Sequence, residues 1–276
     1  MPTVKAPLTV ATALFATAAS ALPAFSAGMP LAAHRAVYDL SLSTASDRSG
    51  ITGVKGRIVY EFDGSRCEGY TTRHRIVLRM DTDEFSRLQD QQLSTYEDGE
   101  GSLFRFVSKT YLDGEEDKVV EGTAKRAGND VRVELKGVEE PVTGLGPALF
   151  PTSHTLTVLK RIAGGETFFE LPIYDGSDAG EAAYTTTAII GKEIEAAHYA
   201  AGDDGRDHRA WPVSIAYFDE TSDEGEGLPI YRIDFTMFED GITQDLVIDY
   251  GDFAMTGKLV GLDLLKAEPC EDVQGQ

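Results

Sequence analysis

The feature that most limits the fold of this chain is a two-residue alternation of side-chain polarity, which recurs along most of its length. It is clearest just after Gly69, where every second residue belongs to a mainly apolar series and most of the residues between them are polar, three of them arginines. The members of the series are Tyr70, Thr72, His74, Ile76, Leu78 and Met80. Successive side chains of a strand point to opposite faces, so this pattern predicts a strand with one buried and one solvated face.

The same alternation returns in many short segments from about Ala33 onward. Examples are Ala36–Leu42, Val54–Phe62, Ser102–Leu112, Val131–Lys136, Thr167–Ile173, Ala182–Gly191, Arg209–Tyr217, Tyr231–Met237, Ile242–Tyr250 and Val260–Lys266. Turn clusters such as Glu97-Asp98-Gly99 and Gly128-Asn129-Asp130 separate them, because Gly, Asn and Asp tolerate positive φ. The spacing predicts an all-β, mainly antiparallel domain of about 12–14 strands.

A sheet of that width curls or closes, because open edges promote aggregation. A barrel of about that strand number encloses more space than its own side chains readily fill. We therefore expect a large curled sheet or incompletely closed barrel with an apolar inner face. Tyr70, His74, Ile76 and Leu78 are the candidate inner-face or pocket-lining residues.

One segment breaks the strand pattern. Pro141–Pro151 predicts a connector, and the residues after it place Leu156, Leu159 and Ile162 on one helical stripe. With Thr152 or Ser153 as the N-cap and Gly164 at the end, this predicts one helix over about His154–Ala163.

The N-terminus has the three parts of a secretory signal. Lys5 is followed by an Ala-, Leu- and Val-rich run and then by small residues up to about Ala27. Cleavage is expected after Ala27, with Ala24 and Ala21 as alternatives. Residues 28–276 would then form a single domain that is Sec-exported and soluble. Removal of Lys5 takes the formal net charge from −21 to −22, which argues against binding of nucleic acid or anionic lipid surfaces.

Export also bears on the two cysteines, Cys67 and Cys270. An oxidising compartment lets them pair. If they do, the bond closes a ring of about 204 residues, and the chain-entropy model assigns it a stabilisation of about 5 kcal/mol.

No motif specific to catalysis, metal or cofactor binding is present. The histidines form no zinc-binding spacing, and the acidic turns do not match a calcium loop. No GxSxG elbow, GxGxxG or P-loop occurs. We therefore expect no catalytic residues, no metal and no cofactor. The alternative is an envelope-acting hydrolase with a site around His74 or His154.

Six segments of the chain resemble those of a known family. The segments that carry the resemblance, in order, are Ala33–Leu40, Cys67–Tyr70, Leu149–His154, Tyr174–Asp178, Trp211–Val213 and Pro269–Cys270. They are similar to the EipB family of exported proteobacterial cell-envelope integrity proteins. Each segment alone is weakly specific, but together they span nearly the whole mature chain.

The resemblance implies a periplasmic β-spiral with one packed helix, similar in shape to periplasmic lipoprotein carriers. It implies a disulfide between Cys67 and Cys270, and a functional link to an exported tetratricopeptide-repeat protein. It supplies no catalytic residues. We therefore expect a non-enzymatic protein of envelope maintenance that binds a partner protein or an apolar ligand, such as a lipid or lipoprotein. A monomer is the default expectation.

Overall fold

The computed structural model describes residues 31–177, 180–202, 204–219 and 227–266. These residues form fourteen strands and one helix. The first seven strands are β1 His34–Ala45, β2 Ile51–Ser65, β3 Gly69–Thr82, β4 Ser86–Glu97, β5 Leu103–Leu112, β6 Glu115–Ala127 and β7 Asp130–Leu135. The helix α1, Pro151–Ala163, follows. The remaining strands are β8 Phe168–Ile173, β9 Tyr184–Ile190, β10 Ile194–Ala197, β11 His208–Phe218, β12 Tyr231–Phe238, β13 Thr243–Asp249 and β14 Phe253–Leu264.

The strands form one sheet in the order β7-β6-β5-β4-β3-β2-β1-β14-β13-β12-β11-β9-β8, with β10 paired to β11. Every pairing between named strands is antiparallel. Within the described ranges no ladder joins β7 to β8, so the sheet curls without closing. The predicted fold class, strand number and incomplete closure are therefore confirmed. The predicted signal segment, residues 1–27, lies outside the described residues, as does Cys270.

The connector between β7 and α1 spans the gap between the two edges of the sheet. Val142 exchanges two backbone hydrogen bonds of 2.9 Å with Val133 of β7. Seven residues later, the Leu149 N–H donates to the Pro172 carbonyl at 2.9 Å, and Leu149 accepts from the Tyr174 N–H at 2.8 Å. One irregular segment thus pairs briefly with each edge and satisfies edge groups that would otherwise be unpaired.

An aromatic cluster fills the space behind this connector. Phe104 and Phe106 of β5 stack at 5.5 Å, and Phe150 stacks on Phe104 at 5.3 Å. Tyr174 meets both β5 rings edge-on, and its hydroxyl donates to the Gly180 carbonyl at 2.8 Å. All four rings are buried. This end of the curled sheet is therefore packed solid.

The helix begins earlier than predicted. The expected start at His154 is wrong by three residues, because α1 starts at Pro151 and its N-cap is Phe150. Neither Thr152 nor Ser153 caps the helix; both lie in its first turn. The cap comes from Glu97 at the end of β4, whose carboxylate accepts from the N–H groups of Thr152 and Ser153 at 2.7 and 2.9 Å. Proline at the first helical position needs no N–H partner, which makes this start favourable.

The helix packs on the second half of the sheet. Val158 and Ile162 contact a buried cluster that includes Phe169, Trp211 and Val213. His154 adds a buried hydrogen bond, because its Nε2 lies 2.8 Å from the Thr186 hydroxyl. That hydroxyl itself donates to the Leu171 carbonyl. The helix is thus fixed to β8 and β9 by apolar packing and one buried hydrogen-bond chain.

Candidate functional site

The four residues predicted to line an interior face lie together on the inner face of β3, and all four are half-buried. Tyr70 stacks on Phe62 at 5.7 Å, and His74 meets Tyr60 edge-on at 6.0 Å. Ile76 and Leu78 pack beside a buried cluster that draws residues from β1, β2, β11, β12 and β14 and also includes Tyr199 and Ile242. The inner face of β3 thus packs on one side against neighbouring strands and keeps part of its side-chain surface exposed.

Three titratable groups on this face are held neutral. Burial lowers the pKa of His74 to about 4. Burial also raises the pKa of Tyr60 and Tyr70. Since an imidazole with that pKa is unprotonated near neutral pH, and the phenols stay protonated, these three side chains carry no charge.

Strands β4 and β5 extend this face in register. His74 lies opposite Leu93 and Leu93 opposite Ser108; the next row is Ile76, Gln91 and Thr110; the third is Leu78, Gln89 and Leu112. Residues directly opposite each other share a face. We call this surface the polar wall, and it comprises Thr72, His74, Ile76, Leu78, Gln89, Gln91, Leu93, Thr95, Ser108, Thr110 and Leu112. Every member is half-buried, and none is Asp, Glu, Lys or Arg.

A second surface, half-buried except at the exposed Tyr250, covers the inner face of β11 to β14. Tyr217 and Tyr231 stack at 4.4 Å, Tyr231 and Tyr250 lie 5.9 Å apart, and Tyr250 stacks on Phe253 at 5.0 Å. We call this surface the aromatic wall, and it comprises Tyr217, Tyr231, Ile233, Phe235, Leu246, Ile248, Tyr250 and Phe253. Burial raises the pKa of Tyr217 and Tyr231, so these phenols are neutral too.

The two walls border a common floor. Ile76 and Leu78 of the polar wall, and Leu246 and Ile248 of the aromatic wall, pack against one buried cluster. That cluster includes Tyr38 and Leu40 of β1, Ile58 of β2 and Leu259 of β14. Strands β2, β1 and β14 separate the walls in the sheet order. The two walls therefore lie on the same face of the sheet and are joined through one buried cluster.

The residues named for a hydrolase do not assemble. Within the described ranges, neither His74 nor His154 lies within hydrogen-bonding distance of a carboxylate. His154 is buried against Thr186, and burial lowers its pKa to about 4. The neighbouring Ser153 donates its hydroxyl to Glu97 and not to a histidine. No positive evidence of catalysis comes from this region.

Sequence reasoning missed a polar cluster near the β12–β13 turn. The Tyr199 hydroxyl donates to Asp240 at 2.5 Å and lies 3.5 Å from Nδ1 of His208, whose Nε2 is 3.0 Å from Asp204. Burial alone would raise the pKa of Asp204, but its hydrogen bonds to His208 and Arg206 lower it to about 2. Asp204 pairs locally with Arg206 and His208, whereas Asp240, which accepts from Tyr199, comes from the turn between β12 and β13. The cluster fixes the segment before β11 to the sheet.

A trough of about 570 Å³ crosses the outer face of β4 to β7. Arg105, Glu121 and Lys136 are among its lining residues, and Lys136 pairs with Glu121 at 2.7 Å. It lies on the solvent side of the sheet, so the inner walls are the stronger candidate.

Among the described residues, no group of three or more His, Cys, Asp or Glu side chains is placed to hold a metal ion. No helix in the described part of the chain is long and apolar enough to cross a membrane.

Comparison with known proteins agrees with this architecture. The model of the EipB-like family matches residues 26–266. The chain belongs to the EipB-like family. The resemblance read from the sequence is therefore confirmed.

Among EipB-like proteins, the cell envelope integrity protein EipB of Brucella abortus (strain 2308) is 44% identical over 259 residues. The alignment covers 91% of this chain and 89% of that protein. A crystal structure of a beta-barrel-like protein of the domain of unknown function DUF1849, also from Brucella abortus, superimposes with a TM-score of 0.82 at 42% identity. It covers 87% of this chain and 100% of the other. The EipB-like fold is thus shared over nearly the whole described chain.

Proposed function

We propose that this protein works in the periplasm, without enzymatic activity, to maintain cell envelope integrity by binding an apolar ligand inside its curled sheet. The envelope role is supported by its 44% identical relative, which is a cell envelope integrity protein by name. The periplasmic location is supported by the signal-like N-terminus.

The observation that carries the binding proposal is the incomplete burial of both inner walls. Protein interiors are normally close-packed, and large apolar side chains facing inward are usually fully buried. Here the end of the sheet near Phe104 and Phe150 is packed solid, whereas Leu78, Leu246 and Tyr231 remain partly accessible. A ligand that covered them would gain about 25 cal/mol for each Å² of apolar surface removed from water.

The test uses N-phenyl-1-naphthylamine, an uncharged dye that fluoresces in apolar surroundings, with the delipidated mature protein. Ile76→Lys places a charge on the inner face of β3, and we expect it to lower dye affinity at least tenfold. Val77→Lys, the matched control on the outer face of the same strand, should leave binding unchanged. No dye uptake by the unsubstituted protein, or equal loss in both variants, would contradict the proposal.

Native mass spectrometry of protein purified from periplasm gives an independent check. A co-purifying lipid or lipopeptide would support the proposal directly. The link to a tetratricopeptide-repeat protein, and a monomeric state, stay predictions that pull-down from periplasm and light scattering can test. The alternative of an envelope-acting hydrolase has no observation around His74 or His154 in its favour.

A further inference from the structure

The outer face of β5 to β7 carries three cations that no carboxylate neutralises. Arg105 of β5, Lys125 of β6 and Arg132 of β7 are exposed, and none of them forms an ion pair or a side-chain hydrogen bond with the rest of the described chain. The sequence contains 46 Asp and Glu residues against 25 Lys and Arg. With carboxylates in such excess, three neighbouring cations without a partner call for an explanation.

The strand register brings these cations together. Lys125 lies directly opposite Arg132 in the β6–β7 ladder. Thr123, two residues before Lys125, lies opposite Arg105, so Arg105 and Lys125 are diagonal neighbours on the same face. Side chains in directly opposite positions have Cβ atoms about 5 Å apart, and like charges there destabilise a sheet. We call Arg105, Lys125 and Arg132 the cation triad.

The carboxylates closest to the triad are placed or engaged elsewhere. Glu134 is diagonal to Lys125 but forms no ion pair with it. Glu121 pairs with Lys136 at 2.7 Å. Asp98 accepts from backbone N–H groups of the β4–β5 turn at 2.6 and 3.1 Å. The charge of the triad therefore stays available to a solute, and an anion with several oxygens can meet all three cations at once.

The triad borders the trough of about 570 Å³ on the same face. Arg105 is part of the trough wall, as are Ser94 and Thr123, whose hydroxyls make no hydrogen bond within the described residues. A concavity of this volume suits a small molecule. The hydroxylated body of such a molecule can lie in the trough while its anionic group meets the triad.

Phosphate fits the triad better than carboxylate does. A phosphate monoester carries a charge of about −1.5 to −2 at pH 7 and three acceptor oxygens, and arginine matches its geometry. The net charge of −21 disfavours contact with an extended anionic surface such as a membrane. A small solute responds mainly to charges within about 10 Å, where the triad dominates.

We propose that the cation triad binds the phosphate group of a small, soluble phosphate monoester such as a sugar phosphate, whose body lies in the trough. This site lies on the opposite face of the sheet from the two inner walls. It is therefore independent of the apolar ligand of the proposed function.

The experiment is calorimetric titration of the full-length mature protein with glucose 6-phosphate at low ionic strength, where exposed charges are least screened. We expect saturable binding, with gluconate about fivefold weaker and glucose giving no signal. Arg105→Gln should weaken glucose 6-phosphate binding about fivefold, the size expected for one exposed charge pair. Lys258→Gln is the matched control, because it removes the same charge from an exposed position of β14, and it should leave binding unchanged.

Arg132→Glu separates binding from folding. It replaces the repulsion with Lys125 by an attractive cross-strand pair, so phosphate binding should be lost while the midpoint of unfolding in urea stays the same or rises. A fall in that midpoint would show that Arg132 serves the fold, which would overturn the proposal.

The remaining arms identify the source of the anion. Vesicles of phosphatidylcholine with phosphatidic acid carry the same phosphate on a lipid, and we expect them not to retain the protein. Retention that Arg105→Gln abolishes would overturn the assignment to a soluble ligand. Equal affinity for gluconate, tighter binding of a glutamate-rich peptide, or an equal loss in the Lys258 variant would overturn the phosphate assignment. None of these outcomes bears on dye uptake by the inner walls.

Discussion

Glu97 and Ser153 are held together across 56 positions of sequence. Oε1 of Glu97, at the end of β4, accepts from the Ser153 N–H at 2.9 Å and from the Ser153 hydroxyl at 2.5 Å. The carboxyl is buried, and burial raises its pKa, although its hydrogen bonds with Ser153 and Thr152 oppose that change. A strand from the first half of the sheet thus supplies the missing cap of the helix that packs on the second half.

Removing this cap should destabilise the protein. Glu97→Ala leaves two buried helical N–H groups without partners, and we expect the free energy of unfolding in urea to fall by about 2 kcal/mol. Glu100→Ala, the control, removes only an exposed carboxylate paired with Arg66 at 3.2 Å and should cost less than about 0.5 kcal/mol. Similar losses in the two variants would show that Glu97 does not anchor the helix.

His154 should make stability depend on pH. Its pKa in the folded protein is about 4, compared with 6.5 for a solvated histidine. The unfolded chain therefore binds a proton below pH 6.5 that the folded state rejects until about pH 4. The stability that neutral His154 contributes is complete above pH 6.5 and is lost as pH falls toward 4, by about 3 kcal/mol at most.

The check is urea unfolding at pH 7 and pH 4.5. His154→Gln keeps a donor for Thr186 but cannot titrate, so its stability should fall less between the two pH values than that of the unsubstituted protein. His198→Gln, on an exposed side chain, should retain the full dependence. His74 has a similarly lowered pKa, so part of the dependence should survive in the His154 variant. An unchanged slope in that variant would contradict the assignment.

The alternation in the sequence predicted strands whose two faces differ in polarity. In β3 the arginines alternate with Tyr70, Ile76 and Leu78, and the strand register has these three side chains on one face. It did not single out β4, because Gln89 and Gln91 face inward while Asp90 and Gln92 face outward. A strand that is polar on both faces has no two-residue contrast. The β4 part of the polar wall was therefore invisible to periodicity.

Long-range partners account for the other differences. The start of α1 depends on Glu97, which no local pattern around Pro151 reveals. The cluster of Tyr199, His208 and Asp240 likewise joins residues that meet only after the strands pair. Whether a segment forms a helix or a strand depends mainly on residues close to it in sequence. The helix cap, the polar cluster and the residues that make up each wall depend instead on which distant segments the fold brings together.

The loop after β8 depends on a glycine. Gly176 has φ +70°, and a Cβ there would lie 2.7 Å from the Phe106 ring. Gly128 has a similar φ of +65° with no atom near its Cβ position. Gly128→Ala should therefore cost only the backbone strain, about 1 kcal/mol, whereas Gly176→Ala should cost a further ~2 kcal/mol from overpacking. Unfolding in urea measures both, and equal losses would show that the loop does not pack tightly on β5.

The pairing of Cys67 with Cys270 stays a prediction, because Cys270 lies outside the described residues. Cys67 is exposed in the turn between β2 and β3. A bond from that turn to the C-terminal segment would tie the end of the curled sheet back to an early hairpin, and its stabilisation is at most about 5 kcal/mol in the chain-entropy model. Mass spectrometry of the non-reduced mature protein should find no free thiol.

Cys67→Ser and Cys270→Ser should each lower the melting temperature under oxidising conditions and change it much less under reducing ones. The double variant should be no less stable than either single variant, since one bond can be lost only once. Additive losses in the double variant would mean that the two residues contribute through separate contacts. Equal losses with and without reductant would mean that the cysteines matter for packing and that no bond fastens the open sheet.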